Sequence, residues 1–146
     1  MTEYNKKYSM YNPINTMKGV EPAYIEQLQT HGVRYTQQLL ERGRTVELRE
    51  ELAQQSNVPV QVIHALVGRA DLMRLRGVGG DLSLLLQEAG ILSCRSFQEQ
   101  DSERLHKRLA ELHIGRRIAY HAPSKAQVRS WMNESQELAK TSPEYL

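Results

Sequence analysis

Apolar side chains recur along this chain every three or four residues and almost never alternate with polar ones, a pattern that predicts helices and no strands. From Pro22 to Gly32 the positions Tyr24, Ile25 and Leu28 share one helical face. Pro22 suits a first turn and Gly32 a left-handed stop. Thr36 is expected to cap a short helix running through Leu39 and Leu40 to Gly43. Thr45 is expected to cap a third, which carries Leu48 and Leu52 to about Ser56. Pro59 opens a fourth, with Val62, Ile63, Leu66 and Val67 on one face, which continues through Leu72 and Met73 to Leu75.

The pattern breaks at Gly77-Val78-Gly79-Gly80, where glycines can supply the positive φ angles of a tight turn. A helix from about Asp81 then carries Leu82, Leu85, Leu86 and Ala89 to a second stop at Gly90. Ser93 can cap a short helix through Phe97, and Asp101 or Ser102 opens another with Leu105, Leu109 and Leu112. Residues Ile114 to Pro123 read as a loop. The last helix opens on Ser124-Lys125-Ala126-Gln127, a capping-box pattern, and continues through Val128, Trp131, Ser135 and Leu138. The expected fold is all-α, with about eight helices. The polar N-terminal segment to about Asn15 reads as a frayed arm partly docked on the body, although its Tyr4, Tyr8 and Tyr11 could form a helical stripe or an aromatic anchor, and the C-terminal tail TSPEYL after Lys140 is expected to be unstructured.

An internal repeat organises the body. A shift of 58 residues places Gly19-Val20 on Gly77-Val78, Leu28 on Leu86 and Gly32-Val33 on Gly90-Ile91. Downstream, a shift of 65 places Ile63 to Val67 on Val128 to Met132. The chain therefore divides into an arm (1–15), two tandem four-helix units (about 16–72 and 73–140) and a tail (141–146). Neither unit has a complete core alone, so the two are expected to pack as one pseudo-symmetric domain.

Composition narrows the functional classes. The 146 residues hold 19 Lys and Arg against 17 Asp and Glu, a formal charge of +2 that falls well short of a protein whose affinity rests mainly on phosphates. One cysteine, Cys94, cannot close an intrachain disulfide. No window reaches the length of a membrane span and the first twenty residues lack a signal-like apolar core, so a soluble, cytoplasmic protein is expected.

The segment Met73-Arg74-Leu75-Arg76-Gly77-Val78-Gly79-Gly80, followed by Ser83, Leu86, Ala89, Gly90 and Ile91, resembles a helix-hairpin-helix motif, whose core is a Gly-apolar-Gly turn between two short helices. The paired arrangement, with Arg69-Ala70-Asp71-Leu72-Met73-Arg74 feeding the second turn and Trp131 in the closing helix, is similar to a bacterial family described as domain of unknown function 4332. That resemblance covers residues 14 to 140 almost entirely and is specific for fold rather than activity. In the wider helix-hairpin-helix class it implies sequence-nonspecific DNA contact through backbone amides at the turn.

The chemistry of such a contact is simple: unpaired amides at a helix start attract an anion, and glycine leaves room for it. In the second turn Arg76, Gly77, Val78, Gly79 and Gly80 are the candidate nucleic-acid residues, although the Asp81 carboxylate stands close by and would repel a phosphate. The first turn, Gly19-Val20-Glu21-Pro22, replaces the second glycine with a carboxylate and offers no amide at Pro22, so no phosphate site is expected there. Residues 95 to 140 hold nine Lys and Arg against six Asp and Glu. Within them Arg104, Lys107, Arg108, Arg116 and Arg117 cluster with His106, His113 and His121, and Arg116 and Arg117 are added to the candidate interface. Two plainer readings stand beside these: glycines that only let helices pack, and a basic helix face that is only solvated.

An enzyme is not expected. His106, His113 and His121 are seven and eight residues apart, which fits no helical metal site, and neither a dinucleotide fingerprint nor a Gly-Lys-Ser/Thr phosphate loop occurs. Cys94 reads as a small buried apolar residue, Glu50 and Glu51 as exposed helix charges, and Trp131 as core. The expected function is a non-enzymatic binding module, without cofactor, metal, membrane or small-molecule substrate, whose partner is DNA bound weakly. The alternative is a protein partner or self-association through a degenerate helix-hairpin-helix scaffold.

Overall fold

Helix starts follow the capping chemistry in most places. In the computed structural model, which describes residues 12–146, seven α-helices run in the order α1 (Pro22–Thr30), α2 (Thr36–Arg42), α3 (Val46–Ser56), α4 (Val60–Leu72), α5 (Leu82–Glu88), α6 (Ser102–Arg116) and α7 (Lys125–Leu138). Short 3-10 helices at Ile14–Thr16, Cys94–Glu99 and Ala139–Thr141 complete the described residues, which contain no strand beyond one bridge between Pro13 and Tyr35. Thr45, Asp101 and Ser124 cap α3, α6 and α7 by accepting from the amides of Leu48, Arg104 and Gln127. Gln127 returns the bond by accepting from the Ser124 amide at 2.9 Å, which completes the capping box.

Four boundaries differ from the sequence reading. Thr36 lies inside α2 and is buried; the cap is Tyr35, whose amide is satisfied by the Gln38 side chain at 3.1 Å. α4 stops at Leu72, because the amides of Arg74 and Leu75 turn back on Asp71 and Leu72 in a tighter turn. Ser93 opens a 3-10 helix rather than an α-helix. α6 runs through Gly115 to Arg116, beyond the loop expected from Ile114, and ends where Arg117 adopts a left-handed φ of 50° and donates its amide to the His113 carbonyl.

The repeat is visible in the backbone. Gly19 and Gly77 have φ of 77° and 82°, and Gly32 and Gly90 have 86° and 91°. After each stop the next amide, Val33 or Ile91, donates at 2.9 Å to Leu28 or Leu86, the same helix closure 58 residues apart. Leu66 and Trp131, paired by the second shift, are each 2% exposed. Helix α4 sits at the centre, packing against α2 and α3 on one side and α5 on the other, while α7 packs on α6 and on the Cys94–Glu99 turn. One continuous core runs from Ile14 through Leu28, Ile63, Leu72 and Leu86 to Leu105, Val128 and Trp131.

The two glycine turns meet each other. Lys18 donates its amide to the Gly80 carbonyl at 3.1 Å, and the wholly buried Arg69 of α4 donates to the carbonyls of Lys18 at 2.7 Å and Gly80 at 2.6 Å and to the Ser83 hydroxyl at 3.2 Å. A methyl group on Gly80 would overlap the Thr16 carbonyl, so glycine is required here by close backbone approach. In the second unit Trp131 takes the corresponding role, its indole N–H donating to the Arg76 carbonyl at 3.0 Å.

Tyr4, Tyr8 and Tyr11 lie outside the described residues, but Ile14, placed in the arm by the sequence reading, is fully buried and donates to the Arg34 carbonyl at 2.9 Å. The tail is docked rather than unstructured. Asp71, fully buried, pairs with Arg74 at 2.7 Å and accepts from the Cys94 amide at 2.9 Å and the Ser142 hydroxyl at 2.7 Å. Arg95 donates to the carbonyls of Ser142 and Pro143, and Arg49 to those of Glu144 and Tyr145. Arg49 is 0% exposed whereas Leu48, expected in the core, is 37% exposed. The helix is rotated so that a guanidinium with carbonyl partners is inside.

Three variants check these contacts by urea unfolding. Gly80→Ala should lose about 1–3 kcal/mol through overpacking against the Thr16 carbonyl. Gly79→Ala, whose new methyl would have nothing nearer than the Asp81 carboxylate at 3.7 Å, should stay within about 0.5 kcal/mol of the parent. Asp71→Ala strips Arg74 of its carboxylate and two donors of their acceptor, and should cost about 3–5 kcal/mol.

Candidate nucleic-acid interface

The second glycine turn is built to pack as much as to present itself. Val78 is 4% exposed and its amide donates to the Leu75 carbonyl, so neither its side chain nor its N–H is available to a ligand. Gly80 is buried beneath Thr16, with its carbonyl engaged by Lys18 and Arg69. Both residues help to hold the turn in place. Gly77 and Arg76 are exposed and Gly79 is half-buried, so these three form the accessible edge. The Arg76 backbone is held on both sides, its amide by Glu134 at 3.2 Å and its carbonyl by Trp131. Asp81 turns its carboxylate onto the Leu82 amide at 2.7 Å, filling the position where an anion would sit at the start of α5.

Arg116 and Arg117 close α6. Arg116 is exposed and pairs with Glu88 of α5 at 2.8 Å; Arg117, also exposed, begins the loop to α7. That loop is tied back to the turns by one bond: the Lys18 ammonium donates to the Ile118 carbonyl at 3.2 Å, while the Lys18 amide holds Gly80. Lys18 therefore joins the loop that begins at Arg117 to the second turn.

Two exposed residues that the sequence reading passed over stand here as well. Tyr120 is 90% exposed, its ring edge-to-face with His121 at 4.7 Å between centroids, and Ile114 is 76% exposed. A lone tyrosine in a Gly- and Pro-containing loop has no periodic signal to mark it; its placement between two arginines and a histidine is the only hint. The remaining basic residues divide. Arg108 is turned inward onto Gln100 at 2.9 Å, whereas Arg104 and Lys107 are exposed along α6.

Among the described residues no group of three or more His, Cys, Asp and Glu is placed to hold a metal ion, and no helix is long and apolar enough to cross a membrane. Cys94 is fully buried, its thiol 3.3 Å from the Asp71 carbonyl, and burial together with the Asp71 charge pushes its pKa far up, away from a reactive thiolate. Burial draws Arg69 down to about 10, so its guanidinium stays charged at neutral pH and serves the carbonyls around it. A cavity of about 590 Å³, open to solvent, lies between Ser93, Arg95, Ser96, Glu99 and the docked tail.

Comparison with known proteins gives fold kinship and no activity. No curated protein and no solved structure matches the chain significantly. A family model described as "Domain of unknown function (DUF4332)" matches residues 18–138, which takes in both glycine turns, the Arg69 seam and the Trp131 helix. The chain is a member of the DUF4332 family.

Proposed function

We propose that this chain is a non-enzymatic binding module that makes weak, sequence-nonspecific contact with nucleic acid. The loop after α6 supplies most of the contact, with the exposed edge of the second glycine turn beside it. The observation that carries this reading is the group of exposed residues Ile114, Arg116, Arg117, Tyr120 and His121, with Lys18 tying their loop to the turn. Cations beside an exposed aromatic ring are the combination that holds a phosphate backbone and stacks a base. The reading shifts the main contact away from the amides of the turn, because Asp81 occupies that position and Val78 and Gly80 face inward.

A protein partner is the second reading, favoured by one observation: Ile114 in the last turn of α6 and Tyr120 in the loop after it both expose apolar surface. Salt separates the two. Contact with two or three phosphates gives a log–log dependence of affinity on salt with a slope of roughly −2 to −3, whereas an apolar contact is nearly insensitive to salt.

Binding of labelled single-stranded and duplex oligonucleotides, followed by fluorescence anisotropy across a salt series, tests the proposal. The double variant Arg116→Gln, Arg117→Asn is expected to flatten the slope by about one for each cation removed. Asparagine tolerates the left-handed backbone of position 117, and Arg116 is more than half exposed, so the fold is retained. Absence of a complex with either oligonucleotide at low salt would overturn the reading, as would an unchanged slope in the double variant.

A further inference from the structure

The C-terminal tail is fastened by bonds to its main chain more than by its side chains. Arg49 is the centre of that fastening. Its Nε donates to Nδ1 of His64 at 2.8 Å, Nη1 to the Gly43 carbonyl at 2.7 Å, and Nη2 to the carbonyls of Glu144 and Tyr145. The tail answers with one backbone bond of its own, the Glu144 amide to the Arg44 carbonyl at 3.0 Å. Arg49 is 0% exposed, so a change in its orientation has no solvent to absorb it.

We infer that the tail is a pH-sensitive strap, locked by Arg49 while His64 is neutral and released when His64 takes up a proton. An Nδ1 that accepts from Arg49 has no room for a proton of its own, so the neutral ring carries its hydrogen on Nε2. Protonation removes the acceptor and sets a second positive charge within hydrogen-bond distance of the guanidinium. The guanidinium must then swing away from His64, and the same rigid fork that held Nε there carries Nη2 off the Glu144 and Tyr145 carbonyls.

The surrounding charges bear on this balance from known places. Both charges acting on His64 come from α3: Arg49 disfavours the protonated ring and Glu50 favours it, with burial also disfavouring it. Glu144 of the tail and Glu47 of α3 act on Arg49. His64 is thus held below the usual histidine value while the strap is closed, and the open state binds the proton more readily. Closure is fully favoured above about pH 6.5 and weakens as pH falls below it, by at most about tenfold per pH unit for a single proton. Release opens the cavity beside Arg95 and frees the Arg49 and Arg95 guanidinium groups from the tail carbonyls.

Amide hydrogen exchange of the full chain, read by NMR and corrected for the intrinsic rate at each pH, tests the strap at the Glu144 amide. Between about pH 7.5 and pH 5.5 its protection should fall by up to about tenfold, with α4 amides unchanged and the His64 ring of the closed chain titrating below the usual histidine range. His64→Asn, which keeps an acceptor near the Nδ1 position and cannot be protonated, should remove the pH dependence and keep the protection. Constant protection at Glu144 in the parent chain would overturn the inference. So would a fall shared equally by the α4 amides, which reports global unfolding, or a persisting fall in His64→Asn.

Discussion

The guanidinium of Arg69 is the contact on which the arrangement of the two halves rests. A charge buried without a carboxylate is costly, and it is tolerated only where main-chain oxygens replace its water. Here the oxygens belong to Lys18 and Gly80, one from each glycine turn, with the Ser83 hydroxyl completing the set. The position of each turn is thereby referred to a single side chain on the central helix. The crossing of α4 with α5, the approach of Thr16 to Gly80 and the placing of the loop after α6 through Lys18 all follow from it.

The same device recurs at the periphery. Arg42 donates to the His31 carbonyl, Arg74 to that of Leu138, Arg95 to those of Ser142 and Pro143, and Arg49 to those of Gly43, Glu144 and Tyr145. Aromatic residues make up only 6% of the chain, and planar guanidinium groups do much of the joining between elements that large rings perform elsewhere. This changes what the overall charge means. Several of the 19 basic residues face inward to carbonyls, so the cations available to a partner are fewer than the composition suggests, and Arg116 and Arg117 are two that stay exposed.

The fold was legible because its signals are local. Gly19, Gly32, Gly77 and Gly90 announce their left-handed turns, Thr45, Asp101 and Ser124 their caps, and the periodic leucines their faces. What escaped were interactions between residues far apart in sequence. Leu48 looks like a better core residue than Arg49, and only the carbonyls of Gly43 and the tail make the arginine the buried one. The tail TSPEYL has no hydrophobic pattern, since its attachment runs through its main chain, which is the same for every sequence. Asp71 stands between Ala70 and Leu72, with Arg69 and Arg74 on either side, and charges set among apolar neighbours in this way are the one available sign of a buried network. The candidate site was half legible: the arginines and the accessible glycines were marked by type, whereas the inward roles of Val78 and Gly80 depend on the other half of the chain.

Gly80 has a further consequence for how this architecture can be assembled. Its counterpart in the first half, 58 residues earlier, is Pro22. Where Gly80 admits the Thr16 carbonyl, a proline would bring a Cβ and a ring into the same space. Two copies of the first half could not take up the mutual fit that the two halves now have, so the joint between them is directional. The halves are lock and key to each other, and the duplication that their turns still display can no longer be undone by exchanging one half for the other.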